Sequence, residues 1–451
     1  MSKGKEQFKK IAIAILIGIS FFALSISIFS VTQATLLGLI AFLVTLWTNE
    51  GLPLGAVSLL PIVLFPSFSI LSTAQTTANY ANPIIFLFFG GFLIAIAVEK
   101  TELHRWITDK MFAVFPSTPK GIIFSLAITS GLLSSLLSNT TTTLLLMSIA
   151  LFITDDIRLK MRFALAIAYG ASVGGILTPI GTPPNLILLG FMQDKNMELI
   201  SFLKWIFLAA PLVFVMLFIV ASLLSIGVKD IAISLNSEKK ALNFEQKKVL
   251  YLIGGVVLLL LLNAKFQPYW NGLGLNENGI LLGAGLLLFA PPFGILDWTD
   301  DKSKIPFSIM FLFGAGFSIA MAFSSTLLAD KLALYLVNIT LLPPIFIIFS
   351  IAVLITFTTE ITSNTALISV MLPVIYAVAQ QSGVNATLVM MVATVSASYA
   401  FMLPIATPPN AIAMSSGAVS VKDMARYGMV LNLVGIFLIV MIAEFFWKGF
   451  F

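Results

Sequence analysis

The hydrophobic pattern of this chain consists of long apolar stretches separated by short polar loops. Residues 121–153, 163–193 and 361–421 contain no Asp, Glu, Lys or Arg. A helix that crosses the hydrocarbon core of a bilayer needs about 20 apolar residues, so each run is long enough for a span or a hairpin. The pattern therefore predicts an all-α polytopic membrane protein.

About eleven transmembrane helices and two re-entrant hairpins are predicted in these stretches. The hairpins cover about 121–153 and 341–378, and each is expected to begin and end on one side of the membrane. The first helix follows the charged segment MSKGKEQFKK and is interpreted as retained, because no convincing small-residue cleavage site follows it. The spans are placed near 11–30, 34–48, 51–71, 83–98, 165–191, 205–227, 249–264, 279–296, 305–323, around the second Thr-Pro-Pro-Asn, and near 428–447.

The composition supports a membrane location and excludes several function classes. Of the 451 residues, 59% are hydrophobic and 10% are charged, with a mean hydropathy of +1.04. A soluble protein has about 25% charged residues, so this chain has too few to cover a soluble core of its size. The net charge of +5 comes mostly from short loops and indicates no nucleic-acid partner. Cysteine is absent and no nucleotide-binding motif has the required strand context, so no disulfide, thiolate metal site or nucleotide partner is expected.

An internal repeat divides the chain into two halves. The repeated segments are GFLIAIA at 91–97 and GFSIAMA at 316–322, SNT at 138–140 and 363–365, and TPIGTPPN at 178–185 and LPIATPPN at 403–410. The two members of every pair are 225 residues apart, and the pairs follow one order. Chance matches in apolar sequence would not share a spacing, so the halves are predicted to be copies of one helical unit.

Loop charges predict that the two copies have opposite orientations. The first copy's loops around its Ser-Asn-Thr segment, 99–120 and 154–162, carry seven Lys and Arg residues. The equivalent loops of the second copy, 324–345 and 379–387, carry only Lys331. Because cation-rich short loops stay in the cytoplasm, the first pair is expected inside the cell and the second pair outside.

The repeat defines three parts of the chain. Residues 1–30 hold the first transmembrane helix, 31–247 form the first inverted repeat with an inward hairpin, and 248–451 form the second with an outward hairpin. The N-terminus is then cytoplasmic and the C-terminus extracellular, in the cytoplasmic membrane of the cell. Inverted repeats with broken helices are the usual construction of secondary-transporter sites.

Each copy carries two polar motifs at membrane depth. Ser-Asn-Thr at 138–140 and 363–365 lies where a hairpin would have its tip, and Thr-Pro-Pro-Asn at 182–185 and 407–410 removes two adjacent N–H donors. The second motif should therefore break its helix into two half-helices. Helix capping and a plain proline kink would explain one copy. Their recurrence in two inverted copies favours a binding site, since polar turns at this depth must be packed in protein or line a wet cavity.

Charge is nearly absent around these motifs. Between 332 and 421, Glu360 is the only Asp, Glu, Lys or Arg. It is interpreted as a hairpin support bonded to backbone N–H groups rather than as the acidic relay that a proton pump needs. Amides, hydroxyls and helix N-termini, each with roughly +0.5 charge, are left to accept an anion. A pseudo-symmetric pair of tips suits a molecule with a carboxylate at each end.

At these motifs the sequence resembles the divalent anion/sodium symporter (DASS) family of the ion transporter superfamily, and the resemblance covers nearly the whole chain. It implies a bacterial secondary active transporter of small dicarboxylates such as succinate, malate, fumarate or 2-oxoglutarate. It also implies a homodimer in the lipid bilayer, in which a transport domain moves as an elevator against a scaffold domain. Segments 101–115 and 326–340 resemble the family's interfacial arm helices. In one departure, Thr141 follows the first Asn-Thr, where the family often has Ala.

The site residues follow from the motifs and from the resemblance. The tips contribute Ser138 and Ser363. The resemblance implies carboxylate contacts at Asn139, Thr140, Thr182, Asn364, Thr365, Thr407 and Pro408. It further implies a first sodium site at Ser134, Ser138, Asn139 and Gly181, and a second at Thr359, Thr362, Asn364 and Ala406. Sodium is expected only as a coupling ion, and no cofactor or catalytic residue is expected.

Three alternatives remain open from the sequence. Sodium symport and the exchange of one dicarboxylate for another fit equally well. An inorganic-anion transporter of the same superfamily, for arsenite or sulfate, could share the repeat and the hairpins. A membrane-embedded enzyme would need a convergent acid/base or nucleophile set, and none is found in the sequence.

Overall fold

The computed structural model describes residues 3–151, 153–229, 241–264, 270–335 and 342–451. Within these ranges the chain forms 21 α-helices and no β-strand. The helices are α1 Lys3–Ser25, α2 Val31–Asn49, α3 Leu54–Ser67, α4 Thr73–Ala78, α5 Pro83–Lys100, α6 Leu103–Val114, α7 Pro119–Ser134, α8 Asn139–Ala150, α9 Ile157–Gly174, α10 Pro183–Asp194, α11 Phe202–Ser225, α12 Phe244–Asn263, α13 Glu277–Leu287, α14 Trp298–Asp301, α15 Phe307–Ser325, α16 Leu328–Tyr335, α17 Pro344–Thr359, α18 Asn364–Ser382, α19 Ala386–Ala397, α20 Pro408–Ser415 and α21 Val421–Phe445.

Seven helical segments in the described ranges are long and apolar enough to cross a bilayer. They are Gly4–Ser25, Val31–Asn49, Thr73–Lys100, Phe202–Ser225, Phe307–Ser325, Asn364–Ser382 and Val421–Gly449. Five further apolar helices are shorter, and these include α7, α17 and α19. The all-helical membrane fold is thus confirmed, but several predicted spans are built from pieces shorter than a membrane-crossing helix.

Two predicted spans contain helices shorter than the predicted stretch. The stretch 51–71 is helical only in α3, with 14 residues, and 279–296 only in α13, with 11 residues. At about 1.5 Å per residue, α13 is roughly half as long as the hydrocarbon core is thick. Pro291 and Pro292 follow α13 closely and cannot supply the N–H groups that would continue it. α1 also ends earlier than predicted, at Ser25.

The two predicted hairpins are helix–turn–helix units. α7 and α8 are joined by the turn 135–138, and α17 and α18 by the turn 360–363. Both predicted helix breaks are present as well. The stretch 175–182 separates α9 from α10, and 398–407 separates α19 from α20. Positions 152 and 341 at the hairpin ends lie outside the described residues.

Helices of the two copies pack crosswise. α5 packs against α13, and α15, the equivalent of α5 after a shift of 225 residues, packs against α3. Likewise, α10 packs on α18 of the second hairpin, and α20 packs on α8 of the first. Each half-helix that follows a break is therefore held by the hairpin of the other copy.

Small residues allow the closest helix contacts. A methyl group on Gly174 of α9 would overlap the backbone of Gly131 in α7, and one on Gly285 would lie 2.8 Å from the Cα atom of Gly90. Such close backbone approach is typical of membrane helix pairs, which gain little from the hydrophobic effect and depend on packing. The hairpin arm α7 is thus fixed tightly to α9.

The polar ends of the helices are tied by a few ion pairs and hydrogen bonds. The Lys100 Nζ atom lies 2.6 Å from Asp301 Oδ2, and Lys304 Nζ lies 3.3 Å from Asp301 Oδ1. Burial alone would raise the pKa of Asp301, but hydrogen bonds from Lys100, Lys304 and the Asp297 N–H outweigh it and lower this pKa. The link after α13 is thereby fixed to the end of α5.

The predicted arm segments are only partly described. The first is α6, Leu103–Val114, which agrees with the prediction of 101–115. The second begins as α16, and its predicted end at 336–340 lies outside the described residues.

Candidate functional site

A cavity of about 700 Å³ lies where the two hairpin tips and the two helix breaks meet. Its wall includes every residue predicted to bind substrate, namely Ser138, Asn139, Thr140, Thr182, Ser363, Asn364, Thr365, Thr407 and Pro408. These residues come from four separate helix starts, 225 residues apart in pairs. The fold therefore brings the complete predicted substrate set to one cavity.

Four helix N-termini converge on this cavity. α8 begins at Asn139 and α18 at Asn364, and the half-helices α10 and α20 begin at Pro183 and Pro408. The first N–H groups of a helix have no partner within it, so those of α8 and α18 can bond an anion. Proline starts α10 and α20 because it has no N–H to leave unsatisfied and its φ angle already suits a helix.

The wall has almost no charged side chain. Among the described residues that line the cavity, Glu50 is the only Asp, Glu, Lys or Arg, and it follows the end of α2. Any positive potential must therefore come from helix ends and polar groups rather than from Lys or Arg. Such fixed dipoles can bind an anion at a small desolvation cost, because no buried cation has to be dehydrated.

The first predicted sodium set surrounds the start of α8. The Ser134 hydroxyl, at the end of α7, donates to Asn139 Oδ1 at 2.6 Å. A Cβ atom on Gly175 would lie 2.8 Å from Asn139 Oδ1 and 3.1 Å from the Gly181 carbonyl oxygen. The Asn139 amide oxygen, the Ser134 hydroxyl and the break before α10 thus form one cluster. Ser134 is buried behind the wall, and Ser138 lines the cavity.

The second predicted sodium set repeats this arrangement. The Thr359 hydroxyl, at the end of α17, donates to Asn364 Oδ1 at 2.6 Å, and its oxygen lies 3.0 Å from the Ala397 carbonyl oxygen. Thr362 and Ala406 line the cavity, whereas Thr359 is buried behind it. The Thr362 hydroxyl donates to the Thr358 carbonyl, so it is already engaged within the turn.

The donor chemistry of both sets fits a small hard cation. Hydroxyl, amide and carbonyl oxygens are neutral hard ligands, which suit alkali and alkaline-earth ions better than transition metals. Across the described residues, no group of three or more His, Asp or Glu side chains is close enough to hold a metal ion. The residues therefore fit a weakly bound monovalent ion such as sodium.

Glu360 supports the second break, as its sequence context predicts. Its carboxylate accepts N–H bonds from Phe401, Met402 and Leu403 at 2.8 to 3.1 Å, and from Asn432 Nδ2 at 2.6 Å. The side chain is 3% exposed and lies outside the cavity wall. Glu360 thus joins the tip of the second hairpin to the break and to α21.

The cavity also contains residues that sequence reasoning missed. Gln7, Trp47, Thr48, Glu50 and Leu54 line the end formed by α1, α2 and the start of α3. Nothing in their local sequence marks them, because they come from helices with no repeated motif. Apolar wall residues were missed as well: Phe88, Phe92, Ile180, Ile309, Leu312, Ile361 and Ile405. Of the missed residues, those in the repeated segments did carry a signal: Gly91 and Phe92 in 91–97, Ile180 in 178–185 and Ile405 in 403–410.

Comparison with known proteins agrees with the geometry. Residues 40–395 match the model of the citrate transporter family, CitMHS. The chain is 31% identical to the sodium-dependent dicarboxylate transporter SdcS of Staphylococcus saprophyticus, over 96% of this chain and 91% of that protein. It is also 31% identical to SdcS of Staphylococcus aureus, over 91% of this chain and 85% of the relative.

Two solved structures share the fold at low sequence identity. The Alcanivorax borkumensis YdaH transporter has a TM-score of 0.61 and 14% identity, covering 93% of this chain and 98% of its own. Neisseria gonorrhoeae MtrF, an antimetabolite efflux pump, has a TM-score of 0.59 and 14% identity, covering 84% and 85%. Both likenesses concern the fold alone. The citrate transporter model, which matches most of the chain, and the relatives that align over nine-tenths of it show that this protein is a multi-pass membrane transporter of the divalent anion/sodium symporter family that its motifs resemble.

Proposed function

We propose that this protein carries small dicarboxylates across the cytoplasmic membrane, coupled to sodium. The single observation that carries the proposal is the pair of Asn-Thr helix starts, at 139 and 364, which face one cavity without a Lys or Arg in its described wall. The relatives named sodium-dependent dicarboxylate transporters support both the cargo and the ion. Succinate, malate, fumarate and 2-oxoglutarate are the proposed cargo.

Each carboxylate would be held by one copy of the repeat. Asn139 and Thr140, with Thr182 nearby, would bind one end of the substrate, and Asn364 and Thr365 the other. Ser138, Ser363, Thr407 and Pro408 complete the proposed contacts. The first N–H groups of α8 and α18 would donate to the carboxylate oxygens, as helix N-termini do to other anions. Sodium would occupy the two oxygen clusters behind the tips and add positive charge next to the substrate.

Access to the cavity is proposed to be from the cytoplasm. Gln7 and Glu50 line the cavity, and the Asn49 side chain donates to the Lys10 carbonyl at 3.0 Å, so this end lies beside the start of α1. With the N-terminus inside, as the loop charges predict, the structure corresponds to an inward-open state. The two inverted copies would then allow an outward-open state by an elevator movement of the hairpins and breaks, within a homodimer.

The test is uptake of radiolabelled succinate by proteoliposomes that contain the purified protein. An inward sodium gradient should drive accumulation, and replacing sodium by choline should abolish it. Uptake that survives in choline and requires internal dicarboxylate would establish exchange instead of symport. Absence of any succinate movement in either mode, with arsenite, sulfate or citrate transported, would contradict the proposed cargo.

A site with two carboxylate-binding ends should bind dicarboxylates more tightly than monocarboxylates. Isothermal titration should show succinate binding at least about tenfold more tightly than butyrate, because a monocarboxylate leaves one set of helix-end donors unpaired. Equal affinities would contradict a site built from two carboxylate-binding tips. Citrate, which has one carboxylate more than succinate, serves as a third ligand in the same titration. Its affinity tests whether the apolar part of the wall excludes a third charge.

A further inference from the structure

The last residue of each Thr-Pro-Pro-Asn motif has no role in the site described so far. Asn185 and Asn410 are fully buried, and neither is among the residues that line the cavity. Each lies in the first turn of a half-helix, two residues after the first proline. Burying a carboxamide costs free energy unless the group is hydrogen-bonded. The hydrogen-bond partners of the two side chains therefore indicate what they do.

Both asparagines make the same pair of hydrogen bonds. Asn185 Nδ2 donates to the carbonyls of Gly175 at 3.1 Å and Thr178 at 2.9 Å. Asn410 Nδ2 donates to the carbonyls of Ala400 at 2.8 Å and Leu403 at 3.0 Å. Each residue of the first set has its equivalent 225 residues later in the second set. The two breaks are therefore stabilised by the same hydrogen bonds.

The bonded carbonyls control the turn that leads into the predicted sodium sites. The Thr178 carbonyl also accepts from the Gly181 N–H at 3.3 Å, and the Leu403 carbonyl from the Ala406 N–H at 3.2 Å. Gly181 and Ala406 are the residues whose carbonyls are predicted to bind sodium. Each asparagine is therefore bonded to the turn that contains one predicted sodium ligand.

Capping of their own half-helices does not explain these side chains. The N–H of Asn410 is already bonded to the Thr407 hydroxyl, and the N–H of Asn185 to the Thr182 carbonyl. Within the described part of the chain, neither Oδ1 atom has a hydrogen-bond partner. Only the donor half of each carboxamide is used, at the cost of a buried unsatisfied oxygen. An apolar residue would fill the same space without that cost.

We propose that Asn185 and Asn410 are positioning residues that hold the carbonyl groups of the two helix breaks in the geometry needed for sodium; this inference rests on the proposed sodium coupling. Their Nδ2 groups donate hydrogen bonds to backbone carbonyls of the two breaks and so fix the orientation of those carbonyls. The donors act on the ion indirectly and do not contact the dicarboxylate. Loss of the donors should therefore weaken sodium binding more than substrate binding.

The test uses Asn185→Leu and Asn410→Leu, which keep the side-chain volume and remove the donors. The half-saturating sodium concentration for succinate uptake should rise at least about tenfold in each, while the succinate KM at saturating sodium stays within about threefold. Sodium titration of thermal unfolding, on purified protein without substrate, should show the same loss. This second measurement does not depend on turnover.

Asn79→Leu is the matched control. Asn79 is buried, and its Nδ2 atom also donates hydrogen bonds, to the Gln75 carbonyl at 3.1 Å, Ser318 Oγ at 3.3 Å and Met321 Sδ at 3.7 Å. It lies outside the cavity wall. This variant should lower the melting temperature and leave the half-saturating sodium concentration at the wild-type value. It shows what the loss of a buried amide does when no ion site is involved.

The outcomes separate this inference from the proposed function. The wild-type protein could respond to sodium while the Leu variants melt at a lower temperature but keep the wild-type half-saturating sodium concentration. That result would overturn the positioning role alone. Wild-type protein that shows no sodium effect on uptake or on unfolding would overturn both proposals. A parallel rise in the half-saturating concentration of Asn79→Leu would also overturn the inference, since the effect would then be generic.

Discussion

The asparagines at the two hairpin tips, Asn139 and Asn364, each have several roles in the structure. Asn139 and Asn364 each start a helix, line the cavity and accept a hydroxyl bond through Oδ1. The proposed carboxylate contact at each tip would be made by the Nδ2 group of the same asparagine. Thr141 adds a local difference: its hydroxyl accepts from Ser138 Oγ at 2.9 Å, a contact that Ala366 cannot make in the second copy. The two tips are therefore equivalent in position but not identical in chemistry.

Asn139→Ala and Asn364→Ala should each abolish transport and leave a folded protein. Each change removes a proposed carboxylate donor and a proposed ion ligand, so substrate and sodium lose affinity together. Uptake in proteoliposomes measures the loss, and gel filtration with a melting curve measures the fold. Asn385→Ala is the control, because Asn385 caps α19 at an exposed position outside the cavity wall. Wild-type turnover in both cavity variants would contradict the proposed site.

Glu360→Gln should destabilise the protein by about 1–3 kcal/mol, because a carboxamide cannot accept from every donor around this position. Its NH2 group would meet one of the N–H groups of 401–403 or the amide of Asn432. The measurement is the melting temperature in detergent, with Glu245→Gln, at an exposed site in the first turn of α12, as the control. An unchanged melting temperature for Glu360→Gln would show that the network contributes nothing to stability.

At the scale of helices, close backbone packing holds the first arm of the first hairpin, α7, against α9. Gly174→Ala should lower the melting temperature, because the added methyl group would overlap the Gly131 backbone and force α9 away from α7. Overpacking of this kind costs about 1–3 kcal/mol. Gly254→Ala is the matched control, since a methyl group there meets no atom within 4 Å and Ala favours a helix. Equal melting temperatures for the two variants would exclude this role for the α7–α9 contact.

Sequence patterns predicted the broken helices well and the short ones poorly. Proline pairs and polar triplets disturb the backbone itself, so the turns at 135–138 and 360–363 and the breaks at 175–182 and 398–407 could be located from local chemistry. Hydropathy, in contrast, reports burial in any apolar environment. It could not distinguish α13, which packs against α5, from a helix that crosses the bilayer alone. The cavity residues of α1 and α2 were missed because tertiary packing alone brings them to the site.

The orientation of the whole molecule can be tested with single cysteines, since the protein contains none of its own. Arg158→Cys places an exposed thiol at the start of α9, and Gln380→Cys places one near the end of α18, at the corresponding ends of the two hairpins. An impermeant maleimide added to intact cells should label position 380 but not 158, and inside-out vesicles should give the reverse. This result follows from the positive-inside rule and the proposed inversion. Labelling of both positions from one side would contradict opposite orientations.

The crosswise contacts of α10 with α18 and of α20 with α8 have a consequence for the origin of this architecture. One copy alone would leave its half-helix without the neighbour that covers it. With the proposed inversion of the two copies, a single-copy ancestor could have formed this cavity only by inserting into the membrane in both orientations and assembling as an antiparallel dimer. Two modern fragments, divided between α11 and α12 and synthesised together, should accordingly reassemble into a working carrier, whereas either fragment by itself should be degraded.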